Sequence, residues 1–142
     1  MALPERVFVD TNVFLRYLTN DVAEQADAVE SLLCRAGAGE IALVTGILVI
    51  AEIVWTLESY YKLTRVEIQA MVRAIINTPG LEVGDRKIIS RAISAYVDKN
   101  VDFGDAYNAT WLLSQDLKVV YTFDRRHFSR FEGAEVRVPD GN

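Results

Sequence analysis

Four carboxylates are placed along this chain where they could act together: Asp10, Glu52, Asp105 and Asp124. Asp10 ends the apolar run Val7-Phe8-Val9, and Asp124 follows Val119-Val120-Tyr121-Thr122 almost directly. If both runs are strands, both acids fall at strand carboxyl ends, where open α/β sheets bind ligands. Glu52 is the lone polar residue of Ile47 to Trp55, and an ionised carboxylate in an apolar setting needs a partner or a metal. Asp105 follows Asp102 by three residues at the start of a helical pattern, and capping explains only one of them. If these four side chains converge, they make a hard, oxygen-only site suited to Mg²⁺ or Mn²⁺.

Each acid also has a plainer reading. Asp10 can cap the helix after it, and Asp124 can be a turn residue in Phe123-Asp124-Arg125-Arg126. Glu52 can pair with a core arginine or lie on a narrow solvent stripe with Thr45, Thr56 or Ser59. Other chemistries are poorly served. His127 and Cys34 are the only histidine and cysteine, which excludes a structural zinc site and leaves a serine nucleophile one candidate base. No glycine-rich phosphate loop is present.

The elements that must carry these residues alternate. Val7 to Val9 reads as a strand buried on both faces, followed by a short helix from Val13 to Leu18. Ala23, Ala26, Val29, Leu33 and Ala36 recur at helical spacing up to Gly37-Ala38-Gly39, with Cys34 expected to pack as a small apolar residue. Ile41 to Val44 is a second strand. The helix after it, Ile47 to Tyr61, is apolar nearly all round and should be central. Thr64 and Glu67 form a capping box for a helix carrying Ile68, Met71, Val72, Ile75 and Ile76, which stops near Pro79-Gly80. Leu81 to Val83 is a third strand, and Asp85 is expected to cap a helix with Ile88, Ile89, Ala92, Ile93 and Tyr96 inward. Another helix after Asp102 buries Ala106, Ala109, Leu112 and Leu113. Val119 to Thr122 and Glu135 to Val138 complete the strands. Strands separated by helices indicate an α/β fold, with a parallel sheet of four to five short strands flanked by helices.

At 142 residues, with 51% hydrophobic and 25% charged, the chain suits a single folded domain over 1–142. There is no apolar run of membrane-spanning length and no secretory signal pattern, so no membrane partner and a cytoplasmic location are expected. The net charge of −5 argues against a general nucleic-acid coat protein. It leaves room for a nuclease, because divalent ions supply positive charge at an acidic site, and it favours a basic partner.

Taken in order, Asp10-Thr11-Asn12, Glu52, Asp102-Phe103-Gly104-Asp105-Ala106 and Thr122-Phe123-Asp124 resemble the motifs of the PIN domain, and among PIN proteins the VapC-like toxins of toxin–antitoxin pairs. The resemblance covers essentially the whole chain. It implies a three-layer, Rossmann-like fold and a metal-dependent endoribonuclease that a cognate antitoxin holds inactive. On that likeness Asp10, Glu52 and Asp105 hold Mg²⁺ or Mn²⁺ directly or through water, and Asp124 completes the site or holds a water. Asp105 takes this role rather than Asp102 because it directly precedes an alanine, as in the family. Asn12, Thr122 and Asp102 are expected to orient those ligands, and Arg125, Arg126 and His127 to contact RNA phosphate. Bound ions would activate water and polarise the scissile phosphate, leaving 5′-phosphate and 3′-hydroxyl ends. A homodimer is expected through Trp55, Tyr60, Tyr61, Ile68, Met71 and Val72, whose apolar area exceeds what one small core needs.

Rival readings fit less well. A haloacid-dehalogenase-like phosphatase would need a second aspartate where Asn12 stands and a lysine near the site, and Lys118 precedes its strand. A receiver-like signalling module would need an acid pair at its first strand and a lysine after its last. The remaining alternative is a PIN-like module without catalysis that only binds protein or RNA, and the complete acid set argues against it.

Overall fold

A computed structural model describes residues 3–141. The elements run β1 (Glu5–Phe8), α1 (Thr11–Thr19), α2 (Ala23–Gly37), β2 (Ile41–Thr45), α3 (Ile47–Ser59), α4 (Arg65–Ile76), β3 (Leu81–Val83), α5 (Arg86–Asp98), α6 (Phe103–Ser114), β4 (Val119–Tyr121), a 3₁₀ turn (Phe128–Arg130) and β5 (Glu135–Arg137). They group into two compact units, the first ending at Arg86 and the second beginning at Lys87. No helix among the described residues is long and apolar enough to cross a membrane.

In the first unit, β1, β2 and β3 form a parallel sheet in that order. Val7 pairs with Leu43, and Leu43 with Leu81. Parallel neighbours need crossover connections, supplied here by α1 and α2, then by α3 and α4. Alternate residues of β2 (Ile41, Leu43 and Thr45) are buried, as a strand covered on that face requires. The core adds Phe14, Val49, Ile50, Ile53, Val54, Leu57, Ile68, Val72 and Ile75. Thr64 caps α4 by the expected capping box: its hydroxyl accepts from the Glu67 N–H, and the Glu67 carboxylate accepts from the Thr64 N–H. The other end of α4 is closed by Arg86, whose guanidinium donates to the Ile76 carbonyl and to Asn77 Oδ1. Gly80 has φ of +82°, and a Cβ there would overlap the Ala36 carbonyl, so this turn requires glycine twice over.

In the second unit, β4 and β5 form a two-stranded parallel pair, Val120 opposite Val136. Tyr96 and Phe103 are fully buried and meet edge to face at 6.2 Å. A reciprocal clasp joins the end of α5 to the 3₁₀ turn. Lys99 Nζ donates to the Arg130 carbonyl, while Arg130 Nη1 donates to the carbonyls of Lys99 and Asn100.

Several expectations are corrected. The strands form one sheet of three and a pair, rather than one sheet of four to five. β1 is not buried on both faces. Phe8 is 66% exposed, and the buried apolar residue is Val9, just past the strand end. Cys34 is exposed, because it falls off the buried stripe of Ala26, Val29 and Ala36. Ile68 and Val72 belong to the core and offer no interface surface, whereas Trp55 and Tyr60 are exposed.

Candidate active site

Asp10 stands between β1 and α1, in the extended conformation of an N-cap, and its carboxylate accepts from the Thr11 N–H at 2.8 Å. The capping reading and a site role are compatible, since one carboxylate oxygen satisfies the helix end. The backbone just before it is fixed to β2: Val9 N–H donates to the Val44 carbonyl, and the Thr45 hydroxyl donates to the Val9 carbonyl. Thr11 itself is buried, and its hydroxyl donates to Glu52 Oε2 at 2.6 Å. One residue therefore holds both Asp10 and Glu52, by its amide and by its hydroxyl. Thr11 was not among the sequence candidates. Its signal was its place between Asp10 and Asn12.

Glu52 is exposed, which corrects the expectation of a carboxylate within apolar surroundings. The face it occupies on α3 also carries Leu48 and Trp55, 73% and 45% exposed, so an apolar sequence window conceals a solvent-facing stripe. The alternative of a solvent stripe is realised in part, with Ser59 exposed and Thr45 buried. Asn12 is exposed and lines an open hollow of about 390 Å³ with Val13, Arg16 and Gln25.

In the second unit, Asp102 is the N-cap of α6, accepting from the Gly104 N–H at 3.1 Å. This frees Asp105, in the first turn, from any capping duty. Asp105 Oδ2 lies 2.6 Å from His127 Nδ1. Asp124 sits in a turn built by Thr122, whose hydroxyl accepts from the Asp124 N–H and donates to its carbonyl. The Arg126 side chain and backbone N–H bond to Asp124 and hold its carboxyl below the usual carboxylate range. Arg126 is thus engaged with Asp124 and Arg125 is exposed. His127, expected to contact RNA phosphate, is joined to Asp105 through Nδ1.

The structure brings Asp10 together with Glu52 through Thr11, and Asp105 together with His127. Among the described residues, no three histidine, cysteine or acidic side chains are already gathered as a metal cluster. Apart from His127, the side-chain donors at these positions are carboxylate, hydroxyl and amide oxygens. That donor set suits a hard divalent ion such as Mg²⁺ or Mn²⁺.

The PIN domain family model matches residues 7–134. The chain belongs to the PIN domain family. A search of curated proteins finds no match to it. The matched span contains Asp10, Glu52, Asp105 and Asp124, and the α/β architecture with parallel sheets agrees with a PIN fold. PIN domains have a nuclease-type fold, and they are typically metal-dependent nucleases.

Proposed function

We propose that this PIN protein is an Mg²⁺- or Mn²⁺-dependent endoribonuclease, the VapC-like toxin of a toxin–antitoxin pair. The observation that carries the reading is the shared anchoring of Asp10 and Glu52 by Thr11. Two like charges held by one residue repel each other, and a divalent cation offsets that repulsion. Asp10, Glu52 and Asp105 would hold the ion, and Asp124 would assist them. Held there, the ion would supply a lowered water pKa and polarisation of the phosphate, chemistry that yields 5′-phosphate and 3′-hydroxyl ends.

The protein's own groups do the rest. Thr11 fixes the Glu52 carboxylate, Asp102 spares Asp105 from capping, and Thr122 shapes the turn that presents Asp124. Arg125, exposed beside that turn, is suited to an RNA phosphate. The net charge of −5 favours a basic antitoxin segment, and an antitoxin arginine would pair with the carboxylates and displace the ion. A homodimer through the exposed Trp55 and Tyr60 and a cytoplasmic location complete the proposal.

The test is cleavage of end-labelled RNA by the purified protein with Mg²⁺, with Mn²⁺ and with excess chelator. Cleavage that needs the ion, leaves 5′-phosphate ends and disappears in Asp10→Asn supports the reading. Cleavage that persists in chelator, or products with 2′,3′-cyclic phosphate, excludes it.

A further inference from the structure

His127 is the one histidine of the chain, and its side chain is about one-fifth exposed. An ionised carboxylate only accepts hydrogen bonds, so the 2.6 Å contact places a proton on Nδ1 and makes Asp105 Oδ2 the acceptor. Oδ1 of Asp105 has no hydrogen-bond partner among the described residues, and neither has Nε2 of His127. Both side chains are partly exposed, His127 at 21% and Asp105 at 31%, so the pair is closed in the middle and its outer atoms are open to solvent or to a ligand.

Both partners rest on fixed backbone. Asp105 lies in the first turn of α6, whose start is pinned by the Asp102 side chain and by the Ala106 N–H bond to the Asp102 carbonyl. His127 directly precedes Phe128, which is buried, and the turn after it is locked to α5 by the Lys99–Arg130 clasp. The imidazole therefore meets the carboxylate from a direction that the fold sets.

We propose that His127 is a positioning residue for Asp105. It ties down Oδ2 and leaves Oδ1 as the oxygen available to a divalent ion. The proposal rests on the metal-dependent reading above. It assigns His127 to the metal-binding carboxylate rather than to RNA. Partners that orient ligand side chains in this way typically change metal affinity when removed.

The experiment is a calorimetric titration of the full chain with MnCl₂, for wild type, Asp105→Asn, His127→Leu and His127→Asn. The asparagine side-chain amide can stand in for Nδ1–H, whereas leucine fills space without a donor. Expected is about tenfold weaker Mn²⁺ binding in His127→Leu, with His127→Asn close to wild type. In RNA cleavage, the Mn²⁺ concentration for half-maximal rate should rise by the same factor, with little change in kcat at saturating ion. A His127→Leu protein that binds Mn²⁺ as wild type does, or loses only RNA affinity, overturns the proposal and leaves the metal reading standing. Wild type that binds no Mn²⁺, or Asp105→Asn that binds it undiminished, removes the metal reading and the proposal together. Should His127→Leu fail to fold, the imidazole ¹⁵N signals of wild type serve instead, assigned without ambiguity because the histidine is unique. They should follow the Mg²⁺ binding curve with Nδ1 remaining protonated. Signals unmoved through saturation overturn the proposal.

Discussion

The hydroxyl of Thr11 donates to Glu52 Oε2 at 2.6 Å, while the amide of the same residue donates to Asp10. Two acids 42 positions apart in sequence are thus set by a single side chain and its own backbone. Thr11→Val keeps the β-branched shape and removes only the hydroxyl. It should destabilise the fold by about 1–2 kcal/mol, the worth of one hydrogen bond to a charged but solvent-facing acceptor. Mn²⁺ affinity should nevertheless fall several-fold, because Glu52 regains its rotamer freedom. Titration calorimetry alongside urea unfolding separates the two effects. Unchanged affinity would show that Glu52 needs no support to serve the ion.

Asp10→Asn should abolish metal-dependent cleavage and leave the fold intact. The asparagine carbonyl oxygen can still accept from the Thr11 N–H, so the start of α1 keeps its cap. Only the charge is lost. The check pairs an RNA cleavage assay with thermal melts, and wild-type cleavage by a well-folded variant would count against the assignment.

Glu52→Gln should melt at or slightly above wild type without metal, since it relieves repulsion with Asp10 and the amide oxygen can still accept from Thr11. Added Mn²⁺ should then raise the melting temperature of wild type more than that of the variant. Equal gains would take Glu52 out of the ligand set.

Gly80→Ala should cost about 2–3 kcal/mol, from a positive φ and overlap with the Ala36 carbonyl. The nearest atoms at residue 36 are backbone, so Ala36→Gly should restore little of that loss. Urea unfolding of the single and double variants tests both statements.

The Tyr61 hydroxyl donates to Asp21 Oδ2, and this bond, with smaller help from Thr19 and Arg16, holds the Asp21 carboxyl below its ordinary 3.8. A carboxyl lowered in the folded state stabilises the fold above its unfolded value and loses that contribution as pH falls through the folded one. Tyr61→Phe should therefore raise the Asp21 value towards 3.8, read by carboxyl ¹³C titration. The stability difference between the two proteins should be present at neutral pH and fade in acid below 3.8. A difference that persists at low pH would assign it to packing of the ring.

Local signals proved the most legible part of the fold. Thr64 and Glu67 announced their helix because a capping box is a contact between near neighbours. Ala23–Gly37 matched its expected span because periodicity and the glycine stop agree. What depends on distant packing was less legible. Glu52 looked buried because Leu48 and Trp55, its neighbours on one helix face, are apolar yet solvent-facing. Val9, rather than β1 itself, carries the burial beside Asp10. The bond from Thr11 to Glu52 and that from Asp105 to His127 join residues far apart in sequence, so neither had a signature to read.

The attachment of Val9 to β2 has a consequence in time. The Val9 peptide segment leading into Asp10 is bonded at the Val9 N–H to the Val44 carbonyl and at the Val9 carbonyl to the Thr45 hydroxyl. The conformational entropy of ordering that peptide is spent during folding, not when a ligand arrives. Release of this segment then requires the β1–β2 ladder to open, and amide exchange at Val9 should be as slow as that of the strand beside it. On the timescale of an encounter with an ion or an RNA strand, the backbone at Asp10 is already at rest.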